Sequence, residues 1–199
     1  KLIGALDAFP KLFVPGRLAL DAGASTGGFT QVLLERGVAR VAAVDVGYGQ
    51  LAWPLQVDPR VTVVDRTNVR TLTPDDLPFT PDLVVADLSF ISLTLVLPAL
   101  VRCSAPDADL VVMVKPQFEV GREAVGDGVV RDPRLRIEAV LRVAAAAQDL
   151  GLAVEGAVAS PLPGPSGNVE VFLWLRRGDN ASWPAVEAVV ERAVEEGPS

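Results

Sequence analysis

The fold is decided by the stretch Leu20-Asp21-Ala22-Gly23-Ala24-Ser25-Thr26-Gly27-Gly28-Phe29-Thr30, which joins an apolar, strand-like run to a helix-like run. A glycine-rich turn lets the backbone approach a ligand closely, and the first turn of the following helix directs unpaired N–H groups toward that ligand. Nucleotide-like cofactors bind at such turns in α/β proteins. The stretch therefore predicts a cofactor loop, and the alternative is a tight turn that holds no ligand.

The spacing of the glycines indicates which ligand the loop takes. A dinucleotide loop requires G-x-G-x-x-G and a phosphate loop requires G-x-x-x-x-G-K-[ST], but this loop reads G-x-x-x-G-G. Neither pyrophosphate pattern fits. The acidic Asp21 precedes Gly23 by two positions and suits a ligand with a positive amine. The amino-acid end of S-adenosylmethionine (SAM) supplies both an amine and a carboxylate.

A second cofactor signal is Asp45, which closes the apolar run Val41-Ala42-Ala43-Val44 and precedes Gly47-Tyr48-Gly49. An acidic residue about 20 residues beyond the glycine loop, at the end of the next strand, can accept both hydroxyls of a ribose. The alternative is an aspartate that caps the following helix. The separation from the loop favours ribose binding by Asp45.

The composition is typical of a single globular domain. The chain has 199 residues, of which 50% are hydrophobic, and it contains no apolar run long enough for a membrane helix. We expect a cytoplasmic location. Cys103 is the single cysteine and histidine is absent, which excludes an internal disulfide and a zinc site of Cys and His ligands.

The absence of histidine leaves acid–base chemistry to carboxylates and lysine. Only Lys1, Lys11 and Lys115 are lysines among the 18 basic residues. Arginine serves wherever a fixed charge suffices, so a retained lysine can mark a site that needs an amine able to lose its proton. Lys11, which lies between Pro10 and Pro15, is interpreted as an ordinary surface residue.

Apolar runs rich in β-branched residues alternate with helical patterns, which predicts a mostly parallel sheet covered on both faces. A Pro/Gly-rich link without a helix precedes the last strand, so that strand is predicted to be antiparallel. The predicted strands are Leu18 to Ala22, Val41 to Asp45, Val61 to Asp65, Leu83 to Asp87, Leu110 to Val114, Leu152 to Ala159 and Val169 to Arg176. The predicted helices are Leu2 to Phe9, Phe29 to Arg36, Gly49 to Gln56, Ile91 to Arg102, Pro133 to Leu150 and Pro184 to Glu195.

Three ionisable residues converge on one edge of this predicted sheet. Asp87 and Lys115 end parallel strands, and Glu170 begins the antiparallel strand, so all three reach the edge that carries the glycine loop. Taken singly, Asp87 could cap a helix, Lys115 could be an exposed cation at a strand end, and Glu170 could be an exposed strand residue. Their joint placement favours a catalytic site.

With these segments in place, the chain resembles the methyltransferase domain of the TlyA family, often called hemolysins, within the FtsJ-like (RrmJ-type) ribose 2′-O-methyltransferases. The matching segments follow the family order along almost the whole chain. They are Asp21 to Thr30, Asp45-Val46-Gly47-Tyr48-Gly49-Gln50, Arg66-Thr67-Asn68, Ala86-Asp87-Leu88-Ser89-Phe90-Ile91-Ser92, Val114-Lys115-Pro116-Gln117-Phe118-Glu119 and Pro163-Gly164-Pro165-Ser166-Gly167-Asn168-Val169-Glu170.

The resemblance implies a Rossmann-like, SAM-dependent methyltransferase fold with a seven-stranded sheet and a Lys-Asp-Lys-Glu catalytic tetrad at Lys1, Asp87, Lys115 and Glu170. It implies that ribosomal RNA is the substrate, methylated on cytidine ribose in the small and large subunit RNAs. Family members also carry an S4-type RNA-binding domain before the first tetrad lysine, so we expect this chain to be a fragment. The implied SAM-binding residues are Asp21, Gly23, Ala24, Ser25, Thr26, Gly27, Gly28, Phe29, Asp45, Val46, Thr67, Asn68 and Asp87.

The expected reaction is an in-line attack of a ribose 2′-oxygen on the SAM methyl group. Lys115 is the expected base, and the alternative is a charged Lys115 that only orients the hydroxyl. An ordinary lysine with a pKa of about 10.4 is charged at neutral pH, so a basic role requires desolvation or nearby positive charge. Asp87 is expected to orient Lys115, and Glu170 to hold Lys1 or the ribose.

The formal net charge of −7 fits phosphate binding poorly, because RNA affinity depends on Lys and Arg. We expect most RNA affinity to lie in the preceding domain, with local phosphate contacts from Arg122, Arg131, Arg134 and Arg136. The competing functions are a non-catalytic SAM- or RNA-binding module for ribosome assembly and a membrane-lytic protein. The lytic function lacks a basic amphipathic helix or a long apolar span in the sequence.

Overall fold

A seven-stranded sheet organises the computed structural model, which describes residues 1–121, 128–179 and 182–198. Its strand order, β3-β2-β1-β4-β5-β7-β6, places the first strand near the centre. The strands are β1 (Leu18–Ala22), β2 (Arg40–Val44), β3 (Val61–Val64), β4 (Leu83–Ala86), β5 (Asp109–Val114), β6 (Leu152–Ala159) and β7 (Val171–Arg177).

Helices cover both faces of this sheet. Within the described ranges the α-helices are α1 (Leu2–Ala8), α2 (Gly28–Glu35), α3 (Trp53–Gln56), α4 (Leu97–Cys103), α5 (Pro116–Glu119), α6 (Pro133–Asp149) and α7 (Trp183–Glu195). Short 3-10 turns occupy Val69–Thr71, Pro74–Asp76 and Leu93–Leu95. No helix in the part of the chain that the structure describes is long and apolar enough to cross a membrane.

The topology confirms the predicted fold class. Strands β1 to β5 pair in parallel, whereas β7 pairs antiparallel with both β5 and β6. All seven predicted strands are present; β1 and β6 have the predicted ends, and the other five strands have ends that shift by one or two residues. The antiparallel direction of β7 brings the start of that strand to the carboxyl ends of β1, β2, β4 and β5.

Two predicted helices are shorter than expected. The helix predicted from Gly49 begins only at Trp53, because Gly49 has a left-handed φ of +64° that no α-helix accommodates. The helix predicted over Ile91 to Arg102 is divided into a 3-10 turn and α4. Pro98 lies in the first turn of α4 and therefore fixes where this helix starts.

The core consists of two apolar layers, one on each face of the sheet. Because side chains alternate along a strand, Leu20 of β1 faces the layer formed by α4, α6 and α7, while Ala19 faces the layer formed by α1 and α2. Strands β4 and β5 are buried along their whole length, as expected for strands covered on both faces. Polar side chains are thereby directed to the ends of the strands.

Candidate active site

The glycine loop follows β1 and lies against the end of β4. The backbone N–H groups of Gly23 and Ala24 both donate to the Val44 carbonyl oxygen, at 2.9 and 3.1 Å. Gly23 has a φ of +84°, and a Cβ at this position would collide with the Asp87 carbonyl oxygen. Glycine is therefore required where the loop passes next to Asp87.

Asp45 is fixed by two backbone N–H groups. Ser25 N donates to Asp45 Oδ2 at 2.9 Å, and Gly47 N donates to Asp45 Oδ1 at 2.7 Å. Each carboxylate oxygen retains a second lone pair, so the side chain can still accept two hydroxyl groups. Asp45 does not cap the next helix, because Ala52 occupies the N-cap of α3.

A cavity of about 580 Å³ opens among the loops that follow β1 to β4. Its volume suits a nucleoside-sized ligand. Seven residues predicted to bind the cofactor line it, and these are Gly23, Ser25, Asp45, Val46, Thr67, Asn68 and Asp87.

The other predicted cofactor residues do not line this cavity. Thr26, Gly27 and Gly28 line a separate depression beside α3. Phe29 is half-buried and its ring lies 6.0 Å from that of Phe172. Ala24 is buried in a small apolar cluster with Leu51. Of the predicted loop residues, only Gly23 and Ser25 therefore face the cavity.

Asp21 is a fully buried carboxylate directly beneath the loop. Thr30 Oγ1 donates to Asp21 Oδ2 at 2.7 Å, while Asp21 Oδ1 has no hydrogen-bond partner. Burial raises the pKa of Asp21 to about 7, and the negative charges of Asp87 and Asp45 add to that rise, although the Thr30 hydroxyl opposes it. Three carboxylates thus create an acidic edge that a cationic ligand would stabilise.

The four residues of the predicted tetrad form two ion pairs. Lys115 Nζ lies 2.6 Å from Asp87 Oδ1, and Lys1 Nζ lies 2.7 Å from Glu170 Oε2. Val114 pairs with Val171 at the end of the β5–β7 ladder, so Lys115 and Glu170 come next on adjacent strands. The two ion pairs therefore lie side by side. The sequence analysis expected Glu170 to hold either Lys1 or the ribose, and in the structure it binds Lys1.

Ser89 and Phe90 belong to the site although the sequence analysis gave them no role. Lys115 Nζ donates to Ser89 Oγ at 2.9 Å, and Ser89 and Phe90 both line the cavity. The Phe90 side chain is 91% exposed, and its ring centroid lies 5.2 Å from that of Phe118. The sequence could have indicated both residues, because they follow Asp87 directly after the end of a predicted strand.

Backbone strain is concentrated at this edge. Among the described residues, the non-glycine residues with positive φ are Ser25, Arg66 and Phe90, at +49°, +55° and +64°. They lie in the loops after β1, β3 and β4. The Arg66 guanidinium also lies 4.2 Å from the centroid of the Tyr48 ring. Strain of this kind is typical of functional sites.

The arginines expected to contact RNA differ in their surroundings. Arg134 is exposed in the first turn of α6, and Arg131 is exposed just before that helix. Arg136 Nε donates to the Val130 carbonyl oxygen at 2.8 Å, so its guanidinium is partly used within the fold. Arg122 lies outside the described residues. No group of three or more metal-ligating side chains occurs within the ranges that the structure describes.

The sheet order and the position of the cavity define a class of protein, the Rossmann-like methyltransferases. An S-adenosylmethionine-dependent methyltransferase from Mesorhizobium loti has the same fold, with a TM-score of 0.58 at 17% identity over 87% of this chain and 96% of that one. Residues 1–177 match the model of the FtsJ-like methyltransferases. The chain belongs to the FtsJ-like methyltransferase family.

Two relatives are much more similar. The 16S/23S rRNA (cytidine-2′-O)-methyltransferase TlyA of Mycobacterium tuberculosis is 62% identical over 100% of this chain and 75% of its own length. The structure of a protein described as a hemolysin from Streptococcus thermophilus superposes with a TM-score of 0.91 at 41% identity, and covers 98% of this chain and 72% of that one. The predicted family is confirmed by these similarities.

Proposed function

We propose that this protein is a SAM-dependent methyltransferase that modifies the 2′-hydroxyl of cytidine in ribosomal RNA of both subunits, in the cytoplasm where ribosomes assemble. The observation that carries the proposal is the pair of adjacent ion pairs, Asp87–Lys115 and Lys1–Glu170, of which Asp87 lines the cavity. The high identity to the mycobacterial enzyme across the whole chain supports the choice of substrate.

The residues around the cavity fit SAM. Asp45 presents two oxygens with free lone pairs for the ribose, and Thr67 and Asn68 line the wall beside it. Asp21 Oδ1, which is buried without a partner, and the neighbouring Asp87 give a negative potential that suits the positive amine and sulfonium. When bound, SAM supplies a methyl group made electrophilic by the sulfonium charge.

Lys115 is the residue that we assign to the 2′-hydroxyl. Its Nζ is held between Asp87 Oδ1 and Ser89 Oγ, at 2.6 and 2.9 Å, and this fixes the direction of the amine lone pair or N–H bonds. The Asp87 carboxylate favours the charged ammonium, whereas positive charge beside it, from Lys1 and from a bound sulfonium, favours the loss of its proton. We propose that Lys115 in its neutral form accepts the hydroxyl proton and releases it to solvent afterwards.

Glu170 and Lys1 orient the substrate in this proposal. The Glu170 side chain is 1% exposed and holds the Lys1 ammonium at 2.7 Å, next to Lys115. A fixed ammonium at this place can donate a hydrogen bond to a ribose or phosphate oxygen. The exposed ring of Phe90, three residues after Asp87, offers a surface on which an RNA base can stack.

The proposal is tested by incubating the full-length protein with labelled SAM and with unmethylated subunits, and separately with protein-free ribosomal RNA. We expect incorporation of label into cytidine, with resistance of the adjacent phosphodiester to alkaline cleavage as the mark of 2′-O-methylation. Lys115→Ala serves as the inactive control. Label on a base, or on no RNA at all, would contradict the proposal, and subunit binding without methylation would indicate an assembly role.

A further inference from the structure

Glu119 is a buried carboxylate outside the tetrad, and both of its oxygens bind the loop that follows β4. Ser92 Oγ donates to Glu119 Oε2 at 2.6 Å, and Leu93 N donates to Glu119 Oε1 at 2.8 Å. The residue is 5% exposed and does not line the cavity. It cannot reach a substrate there, so any part that it takes in the reaction must act through the loop.

The loop from Asp87 to Leu93 is joined to the segment from Lys115 to Glu119 at three successive levels. Lys115 contacts Asp87 and Ser89, the Phe118 ring contacts the Phe90 ring, and Glu119 contacts Ser92 and Leu93. The first level contains Lys115 and Asp87, which take part in the proposed methyl transfer. The third level is the one most enclosed by protein.

The loop needs this support because it lacks regular structure of its own. Residues 87–92 contain no helix or strand, and Phe90 is held at a φ of +64°. A left-handed conformation costs a non-glycine residue about 1–2 kcal/mol, so it persists only where neighbouring contacts enforce it. Glu119 supplies two such contacts on the C-terminal side of Phe90.

Glu119 is itself fixed from behind by α6. Arg142 Nη1 donates to the Glu119 carbonyl oxygen at 2.5 Å, and Arg142 Nη2 contacts Glu138 at 3.0 Å. Burial raises the pKa of the Glu119 carboxyl, while the bonds from Ser92 and Leu93 and the charge of Arg142 oppose that rise. Glu119 is thus anchored to α6 through its backbone carbonyl and bonded to the loop through its carboxyl group.

We propose that Glu119 is a positioning residue, which holds the loop after β4 so that Asp87 and Ser89 keep Lys115 Nζ in its reactive orientation. This inference rests on the proposed methyl transfer. A displacement of about 1 Å at reacting groups can reduce a rate by about 100-fold, so loss of the two Glu119 bonds should be visible in the chemical step.

The test compares Glu119→Ala with Glu119→Gln in single-turnover methylation by the full-length protein. We expect the alanine variant to lose about 10- to 100-fold in rate, with little change in the affinity for SAM. The glutamine variant should recover most of the rate, because its amide oxygen can accept from Leu93 N while its NH2 group donates to the Ser92 hydroxyl. Glu138→Gln, which removes the carboxylate that contacts Arg142 Nη2, should match the wild type.

Two further measurements separate positioning from a general loss of stability. Val190→Ala truncates a fully buried side chain of α7 far along the chain, and it should lower the melting temperature without lowering the rate. Hydrogen exchange of the Leu93 amide should accelerate in Glu119→Ala and not in Val190→Ala. If the alanine variant fails to fold, Ser92→Ala replaces it, since it removes one of the two bonds from the loop side.

The proposal is overturned if Glu119→Ala, or Ser92→Ala in its place, methylates at the wild-type rate. It is also overturned if Val190→Ala loses as much rate at an equal loss of stability. Should the wild-type protein transfer no methyl group, the proposed function fails, and the exchange of the Leu93 amide still decides whether Glu119 holds the loop.

Discussion

Two buried aspartates lie at opposite ends of the sheet, and their hydrogen bonding differs. Asp109, at the amino end of β5, accepts from Trp174 Nε1 at 2.8 Å and from Arg17 Nη2 at 3.0 Å, one bond to each oxygen. Asp21, at the carboxyl end of β1, accepts from Thr30 through one oxygen, and its other oxygen has no partner. Both side chains are almost completely buried.

The difference teaches how the two ends of the sheet are used. A buried carboxylate is tolerated when it is paired, and it raises the free energy of the fold when it is not. The amino end satisfies Asp109 and thereby contributes to stability. The carboxyl end leaves Asp21 unsatisfied, which is a cost to the ligand-free protein and a source of affinity for a cation.

The largest expected effect lies at the carboxyl end. Lys115→Arg keeps the charge but cannot release a proton near neutral pH, so single-turnover methylation should fall by about 10²- to 10⁴-fold while SAM binding survives. Lys11→Arg, a change of an exposed lysine, is the matched control. A near-wild-type rate for Lys115→Arg would show that Lys115 is not the base and would make Glu170→Gln the next variant to measure.

At the amino end, the expected effect is on stability alone. Asp109→Ala leaves the buried Trp174 indole N–H without its partner, whereas Arg17 keeps its contact with Asp82, so the loss is about 1–3 kcal/mol. Denaturant unfolding measures this loss. The methylation rate per folded molecule should stay unchanged. A reduced rate would contradict the interpretation that the amino end of the sheet serves stability alone.

The pH dependence of stability sharpens the same comparison. The pKa of Asp21 is raised to about 7 in the folded protein, so its contribution to stability is present at low pH and is lost as the pH rises through 7. Between pH 5 and pH 8 the ligand-free wild type should lose about 2–3 kcal/mol relative to Asp21→Asn. Parallel stability curves for the two proteins would show that Asp21 ionises normally.

SAM binding should depend on Asp45 at the carboxyl end of the sheet and not on a nearby aspartate outside the cavity. Asp45→Ala should weaken SAM binding about tenfold or more, because it removes charged hydrogen-bond acceptors from the ribose, and circular dichroism should show an unchanged fold. Asp58→Ala, in the neighbouring depression beside α3, is the control that should bind normally. Equal affinities in calorimetry would remove Asp45 from the cofactor site.

The smallest expected effect concerns RNA affinity. Arg134→Glu, at the exposed start of α6, should lower the affinity of the full-length protein for ribosomal RNA and reduce the slope of log K against log salt by about 1. Arg36→Glu is the control, since Arg36 follows α2 at the amino end and pairs with Asp7. If both variants keep the wild-type slope, Arg134 does not contact phosphate.

The strand pattern was sufficient to predict the sheet, its antiparallel strand and the edge at which Asp87, Lys115 and Glu170 meet. These features depend on hydrophobic periodicity and on where each strand ends, which are both local properties of the sequence. Contacts that depend on the path of irregular loops could not be predicted in this way. Ser89 and Glu119 are examples, because their partners are set by a loop without periodicity.

Two further features needed the structure for a different reason. The unpaired oxygen of Asp21 results from complete burial under the loop, and a sequence shows neither burial nor hydrogen bonds. Gly49 has a left-handed φ, which shortens the predicted helix. Glycine adopts positive and negative φ about equally, so its presence in the sequence does not predict which one occurs. The roles of the tetrad residues stay predictions until the variants are measured.

The left-handed residues Ser25, Arg66 and Phe90 have a consequence for protein engineering. A screen that selects thermostable variants would enrich glycine at these three positions, because glycine adopts positive φ without the penalty of about 1–2 kcal/mol. Ser25 and Phe90 line the cavity and Arg66 precedes the lining residue Thr67, so such variants would trade turnover for heat resistance. A stabilisation campaign on this enzyme should hold these positions constant and introduce its substitutions at the amino end of the sheet.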